Sequence, residues 1–134
     1  MTKLSEIEGI GEHFAAQLSE IGIATTQALL EKGKTPKGRD EIAQSSGISA
    51  KRILEWVNHV DLHRIKGIAG EYADLLEEAG VDTVPELAMR NPENLHQALA
   101  ETNQEKHLVR QLPSAKQVAD WVHQAKSLPR VITY

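Results

Sequence analysis

The chain repeats itself around glycine. A shift of 58 positions lays Leu4 on Leu62, Ile7 on Ile65, Gly9 on Gly67, Ile10 on Ile68, Ala15 on Ala73, Leu18 on Leu76, Gly22 on Gly80, Thr25 on Thr83 and Leu29 on Leu87, without a gap. Beyond this stretch the register lengthens to 65. There Ser49-Ala50-Lys51 falls on Ser114-Ala115-Lys116 and Trp56-Val57 on Trp121-Val122, so the second copy carries a seven-residue insertion. A chain that must build the same unit twice has few architectures open to it. The repeat divides the chain into a first copy over residues 1–61 and a second over 62–134, the latter ending in a short tail, Leu128-Pro129-Arg130-Val131-Ile132-Thr133-Tyr134. Val57 through Ile65 contains neither Gly nor Pro. The two copies are therefore expected to be joined by helical or tightly packed structure and to fold as one compact body.

Periodicity predicts an all-α chain. From Glu12 to Ile21 the apolar residues Phe14, Ala15, Leu18 and Ile21 recur at spacings of three and four, and Gly22 supplies the stop. Thr25 and Thr83 stand where caps would start the next helices, with Pro85 in a first turn, and Asn91-Pro92 opens another helix the same way. Ser49 and Ser114 are placed to cap two tryptophan helices with the apolar rows Ile53, Trp56, Val57, Val60 and Val118, Trp121, Val122, Ala125. The matched tryptophans read as core anchors rather than base-stacking platforms. No run alternates with period two, so strands are not expected.

Composition narrows the function classes. The 134 residues include no cysteine, which excludes disulfides and thiolate metal sites and fits a reducing cytoplasm. No stretch approaches the roughly 20 apolar residues of a membrane span, and the N-terminus lacks a signal-peptide run. No nucleophile elbow, phosphate-binding glycine loop or paired carboxylates stand out, so neither catalysis nor a cofactor nor a small-molecule substrate is expected. His59 and His63 are four apart and would share a helix face. They lack a third committed ligand, and Asp61 or a neighbour is expected to cap the helix entering the second glycine turn instead of holding a metal. The formal net charge is −4, so contact with nucleic acid would have to rest on local patches.

The stretch Ile7-Glu8-Gly9-Ile10-Gly11-Glu12-His13-Phe14-Ala15-Ala16-Gln17-Leu18 resembles the helix-hairpin-helix signature, and Ile65-Lys66-Gly67-Ile68-Ala69-Gly70-Glu71-Tyr72-Ala73 repeats it. Gly9 can take the positive φ of a tight reversal, Ile10 plugs the turn onto the core, and Ala15 lets two short helices cross closely. The resemblance implies that bare amides at the next helix N-terminus hold a backbone phosphate without reading sequence. In the first turn (Gly9, Ile10, Gly11) the glutamates Glu6, Glu8 and Glu12 oppose that use. In the second (Gly67, Ile68), Arg64 and Lys66 favour it, with Gly67, Ala69 and Gly70 as backbone contacts, although Ala69 replaces the second turn glycine.

Arg39 to Ile53 also resembles a helix-turn-helix, with Ala43 at the crossing, Gly47 in the turn, Ile53 as the lock, and Lys51 and Arg52 opening a recognition helix. The second copy has Leu108 and Leu112 at the positions of Ala43 and Gly47, which favours a turn used for packing. From Leu4 to Lys126 the chain resembles a bacterial family of tandem helix-hairpin-helix proteins known as domain of unknown function 4332. Gly9-Ile10-Gly11, the block Ile53 to Ile68 and Ala79-Gly80-Val81-Asp82-Thr83 carry that resemblance, which implies the tandem fold and no catalytic residues. Two functions follow as expectations. One is weak, sequence-independent binding of a DNA or RNA backbone through Arg64, Lys66 and the second turn, extended by Lys51 and Arg52. The other is a protein-interaction adaptor using the helical scaffold, and the apolar tail is short enough to reach another chain.

Overall fold

The structure is a computed structural model and describes residues 3–7, 9–68 and 71–134. It is all-helical. Among the described residues eight α-helices follow a short 3-10 turn, Leu4–Glu6: α1 (Gly11–Glu20), α2 (Thr26–Gly33), α3 (Pro36–Ser46), α4 (Ala50–Leu62), α5 (Glu71–Glu78), α6 (Val84–Ala88), α7 (Pro92–Lys106) and α8 (Ala115–Ser127). Among the described residues there is no strand, and a single isolated bridge joins Lys3 to Thr25. Contacts divide the chain into two compact units, Met1–Asp61 with Val131–Tyr134, and Leu62–Arg130. Helix α4 ends at Leu62, the first residue of unit 2. The last four residues, expected to close the second copy, belong to the first unit.

Unit 1 closes on its own apolar cluster, in which Ile7, Ile10, Leu18, Ile23, Ile53 and Trp56 are buried together. Its helices start where side-chain oxygens replace the missing helical acceptors: Thr25 takes the Ala28 amide at 3.1 Å, Thr35 the Gly38 amide at 3.0 Å and Ser49 the Arg52 amide at 3.2 Å. Arg39 is 5 % exposed, and burial pushes its guanidinium below its usual pKa range. It donates to the Gly33 carbonyl at 2.9 Å and the Thr133 carbonyl at 2.8 Å.

Unit 2 encloses a second cluster around Ile65, Ile68, Leu76, Val81, Leu87 and Trp121. Asn91 caps α7 through the Asn94 amide, and Ser114 and Gln117 form a reciprocal capping box at the start of α8. The chain between α7 and α8 carries Leu108 and Leu112, half-buried against the cluster with no helix of their own.

The two cores are built by the same bonds, offset by 58 residues. Ile7 N–H donates to Leu4 and Ile10 N–H to Ile7; likewise Ile65 donates to Leu62 and Ile68 to Ile65. Ile23 N–H reaches back to Leu18 as Val81 does to Leu76, and Thr83 caps α6 as Thr25 caps α2. Aromatic pairs match as well, with Phe14 and Trp56 centroids 5.2 Å apart and Tyr72 and Trp121 5.4 Å apart. One expected feature differs. The segment entering the first glycine turn is a single 3-10 turn rather than a helix for α1 to cross, so Ala15 is only half-buried, whereas its counterpart Ala73 is fully buried.

Candidate nucleic-acid interface

Each glycine turn is seated on a tryptophan. Gly9 has φ +90° and Gly67 φ +98°, both in the left-handed region where a side chain is strained. A methyl group on Gly9 would stand 3.5 Å from the Trp56 indole nitrogen; on Gly67 it would stand 2.8 Å from that of Trp121. Both indoles are almost completely buried, which is the anchoring role read from their apolar rows. The isoleucine after each glycine, Ile10 or Ile68, is buried beneath the bend, while Gly9, Gly11 and Gly67 stay exposed.

The second turn is braced by a side chain of α8 and by a main-chain carbonyl just past its end. Gln124 Oε1 accepts the Lys66 amide at 2.9 Å, and its Nε2 donates back to the Lys66 carbonyl at 3.0 Å. Gln124 Nε2 also donates to Asp120 at 2.8 Å, which holds the amide group in that orientation. Arg64 is half-buried and donates to the Pro129 carbonyl at 3.3 Å. Lys66 is left with its backbone fixed and its side chain exposed. The Lys66 amide is therefore not available to an anion, and the cationic side chain is what this peptide presents. Ala69 and Gly70, read as further backbone contacts, lie outside the described residues.

The first turn has the opposite character. Glu12 occupies the first turn of α1 and both Glu12 and His13 are exposed, so a carboxylate sits where a phosphate would be held. Glu8 and the Glu6 side chain lie outside the described residues. Acidic residues also enter the first turn of α5, as Glu71 and Asp74. Any anion at the second turn therefore meets the Lys66 side of the bend on better terms than the start of α5.

Lys51 and Arg52 are exposed on the first turn of α4 in unit 1. The Arg52 guanidinium lies 5.0 Å from the centroid of Phe14, on the helix of the first turn, and is held there by a cation–π contact. Between α3 and α4, Gly47 takes φ +78° and Ile53 is fully buried, so the stretch resembling a helix-turn-helix is a packed corner. Asp61 lies inside α4, which ends at Leu62, rather than at the start of a new helix, and His63 is the first residue past that end. Sequence reasoning missed Gln124. Its signal was a place one turn after Trp121, where i and i+3 share a face, but a lone glutamine on an exposed-looking helix carries no motif.

No helix among the described residues is long and apolar enough to cross a membrane. No curated protein and no solved structure matches the chain. The model of a family described as Domain of unknown function (DUF4332) matches residues 8–128, and the chain belongs to that family.

Proposed function

We propose that the protein is a non-enzymatic binding module of the cytoplasm, built from two helix-hairpin-helix motifs, that holds the backbone of DNA or RNA weakly and without sequence preference through the second turn. The observation that carries the reading is the bracing of Lys66 by Gln124. A loop with its main chain held on both sides loses little conformational freedom on meeting a ligand, and it projects an exposed cation beside an exposed glycine with no bulk to keep a phosphate away. The recurrence of the turn bonds, the buried isoleucine and the positive-φ glycine in both units supports the hairpin assignment. Arg64, whose guanidinium donates to the Pro129 carbonyl, adds its positive charge two residues before Lys66. Lys51 and Arg52 lie in unit 1, with Arg52 tied to Phe14.

One or two phosphate contacts set the magnitude. Affinity falls in the non-specific range of about 10⁻⁴ to 10⁻⁶ M, with a slope of log affinity on log salt of about −1 to −2. Titration of labelled duplex and single-stranded oligonucleotides at low salt tests this, with Lys66→Glu expected to abolish measurable binding. Absence of micromolar to sub-millimolar binding, or binding untouched by Arg64→Glu combined with Lys66→Glu, ends the proposal.

A protein-interaction adaptor is the second reading. It is favoured by the exposed acids at the starts of α1 and α5, Glu12 and Glu71, together with the net charge of −4. A partner recovered from lysate and retained after nuclease treatment supports it over nucleic acid.

A further inference from the structure

Helix α2 stops short. Only Lys34 and Thr35 separate it from α3, so the carbonyls of Gly33 and Lys34 have no helical donor. Both donors come from outside α2. Arg39 Nη1 reaches Gly33 at 2.9 Å, and the amide of Thr133 reaches Lys34 at 2.8 Å, joined by the Thr133 hydroxyl at 3.3 Å. Arg39 Nη2 then donates to the carbonyl of Thr133 at 2.8 Å. One residue of the segment, Thr133, is thus gripped on its N–H and on its C=O by the end of one helix and the start of the next.

The residues on either side are read separately. Ile132 is 2 % exposed and is part of the unit 1 core. The Tyr134 hydroxyl donates to Asn58 Oδ1 at 2.8 Å, and Asn58 itself is 5 % exposed. The Arg39 guanidinium stands 6.0 Å from the Tyr134 ring centroid. Main-chain bonds for affinity and alternate side chains for selection are how proteins recognise an extended peptide. Three residues carry these contacts. The stretch before them, Leu128-Pro129-Arg130, forms no helix, and Pro129 and Arg130 are exposed.

We propose that unit 1 carries a recognition site for an Ile-Thr-Tyr segment, occupied by Val131–Tyr134 of the same chain and open to exchange with that segment of a second copy. Within one chain a short tether keeps the segment at an effective concentration in the millimolar range, so exchange shows once the resident segment is displaced. The probe is a fluorescent peptide of sequence Leu-Pro-Arg-Val-Ile-Thr-Tyr, titrated into the full chain carrying Ile132→Asp, with anisotropy as the readout. Saturable binding is expected, at least tenfold weaker to the unsubstituted chain and lost when the peptide itself has Asp in place of Ile. Mixing the Ile132→Asp chain, which keeps the site, with an Arg39→Met chain, which keeps the segment, gives a one-to-one complex that neither forms alone. Failure of the peptide to bind a chain whose circular dichroism shows intact helices, equal binding of the two peptides, or no mixed complex where the peptide binds, overturns the proposal. Loss of helical structure in both Ile132→Asp and the milder Ile132→Ala overturns it too, because the segment is then part of the fold and not a ligand of it.

Discussion

Replacing the two turn glycines by alanine separates what they share from what they do not. Both residues sit at positive φ, +90° for Gly9 and +98° for Gly67, and an L side chain there costs about 1–3 kcal/mol. At Gly9 the added methyl meets the Trp56 indole nitrogen at 3.5 Å, an ordinary contact that adds nothing. At Gly67 it meets that of Trp121 at 2.8 Å, and Trp121 is 1 % exposed with its ring held in the unit 2 core, so it cannot step back without disturbing its neighbours. Overpacking of this kind adds about 1–3 kcal/mol. Gly67→Ala is therefore expected to cost about 2–6 kcal/mol and Gly9→Ala about 1–3 kcal/mol. Urea unfolding followed by circular dichroism measures both, with the slope of free energy on denaturant checked for constancy between variants. Equal costs, or a cheaper Gly67→Ala, refute the seating of the second turn on Trp121.

Three further outcomes follow from the same geometry. Thr25→Ala, Thr83→Ala and Ser114→Ala each remove a side-chain acceptor from a helix start and are expected to lower stability by about 1 kcal/mol in urea unfolding, Ser114 most because it also closes a capping box. His107 ends α7 at φ 51° and is the one non-glycine residue at positive φ among the described residues, so His107→Gly is expected to raise stability by about 1 kcal/mol in the same assay. Gln124→Ala hands the Lys66 N–H and C=O to water, and is expected to cost about 0.5–1 kcal/mol and to weaken oligonucleotide binding several-fold although Gln124 is no candidate phosphate ligand.

Much of the architecture was legible because it rests on local signals that the chain states twice. Glycine at two matched bends, threonine before two matched helices and tryptophan in two matched apolar rows each fix a backbone or burial choice without reference to distant residues. What sequence left hidden depends on residues far apart in the chain. The attachment of Val131–Tyr134 to unit 1 pairs Thr133 with Lys34 and Tyr134 with Asn58, and no periodicity announces polar bonds from a tail to the end of one helix and the interior of another. Arg39 read as the opening of a helix-turn-helix stretch, yet it is buried, and its two carbonyl partners come from α2 and the tail. The candidate site was half visible. Arg64, Lys66 and Gly67 could be named from charge and motif, but that the Lys66 amide is spent on Gln124 could not, since the pair is 58 residues apart.

Phosphate contact at the second turn is tested most directly by residue-resolved amide shifts. A short single-stranded oligonucleotide titrated at low salt into the labelled protein is expected to move the amides from Arg64 to Ile68 in a saturable, salt-sensitive way, and to leave Gly9, Ile10 and Gly11 unmoved. Shifts centred on the first turn, or none at Lys66 and Gly67 at millimolar oligonucleotide, contradict the account.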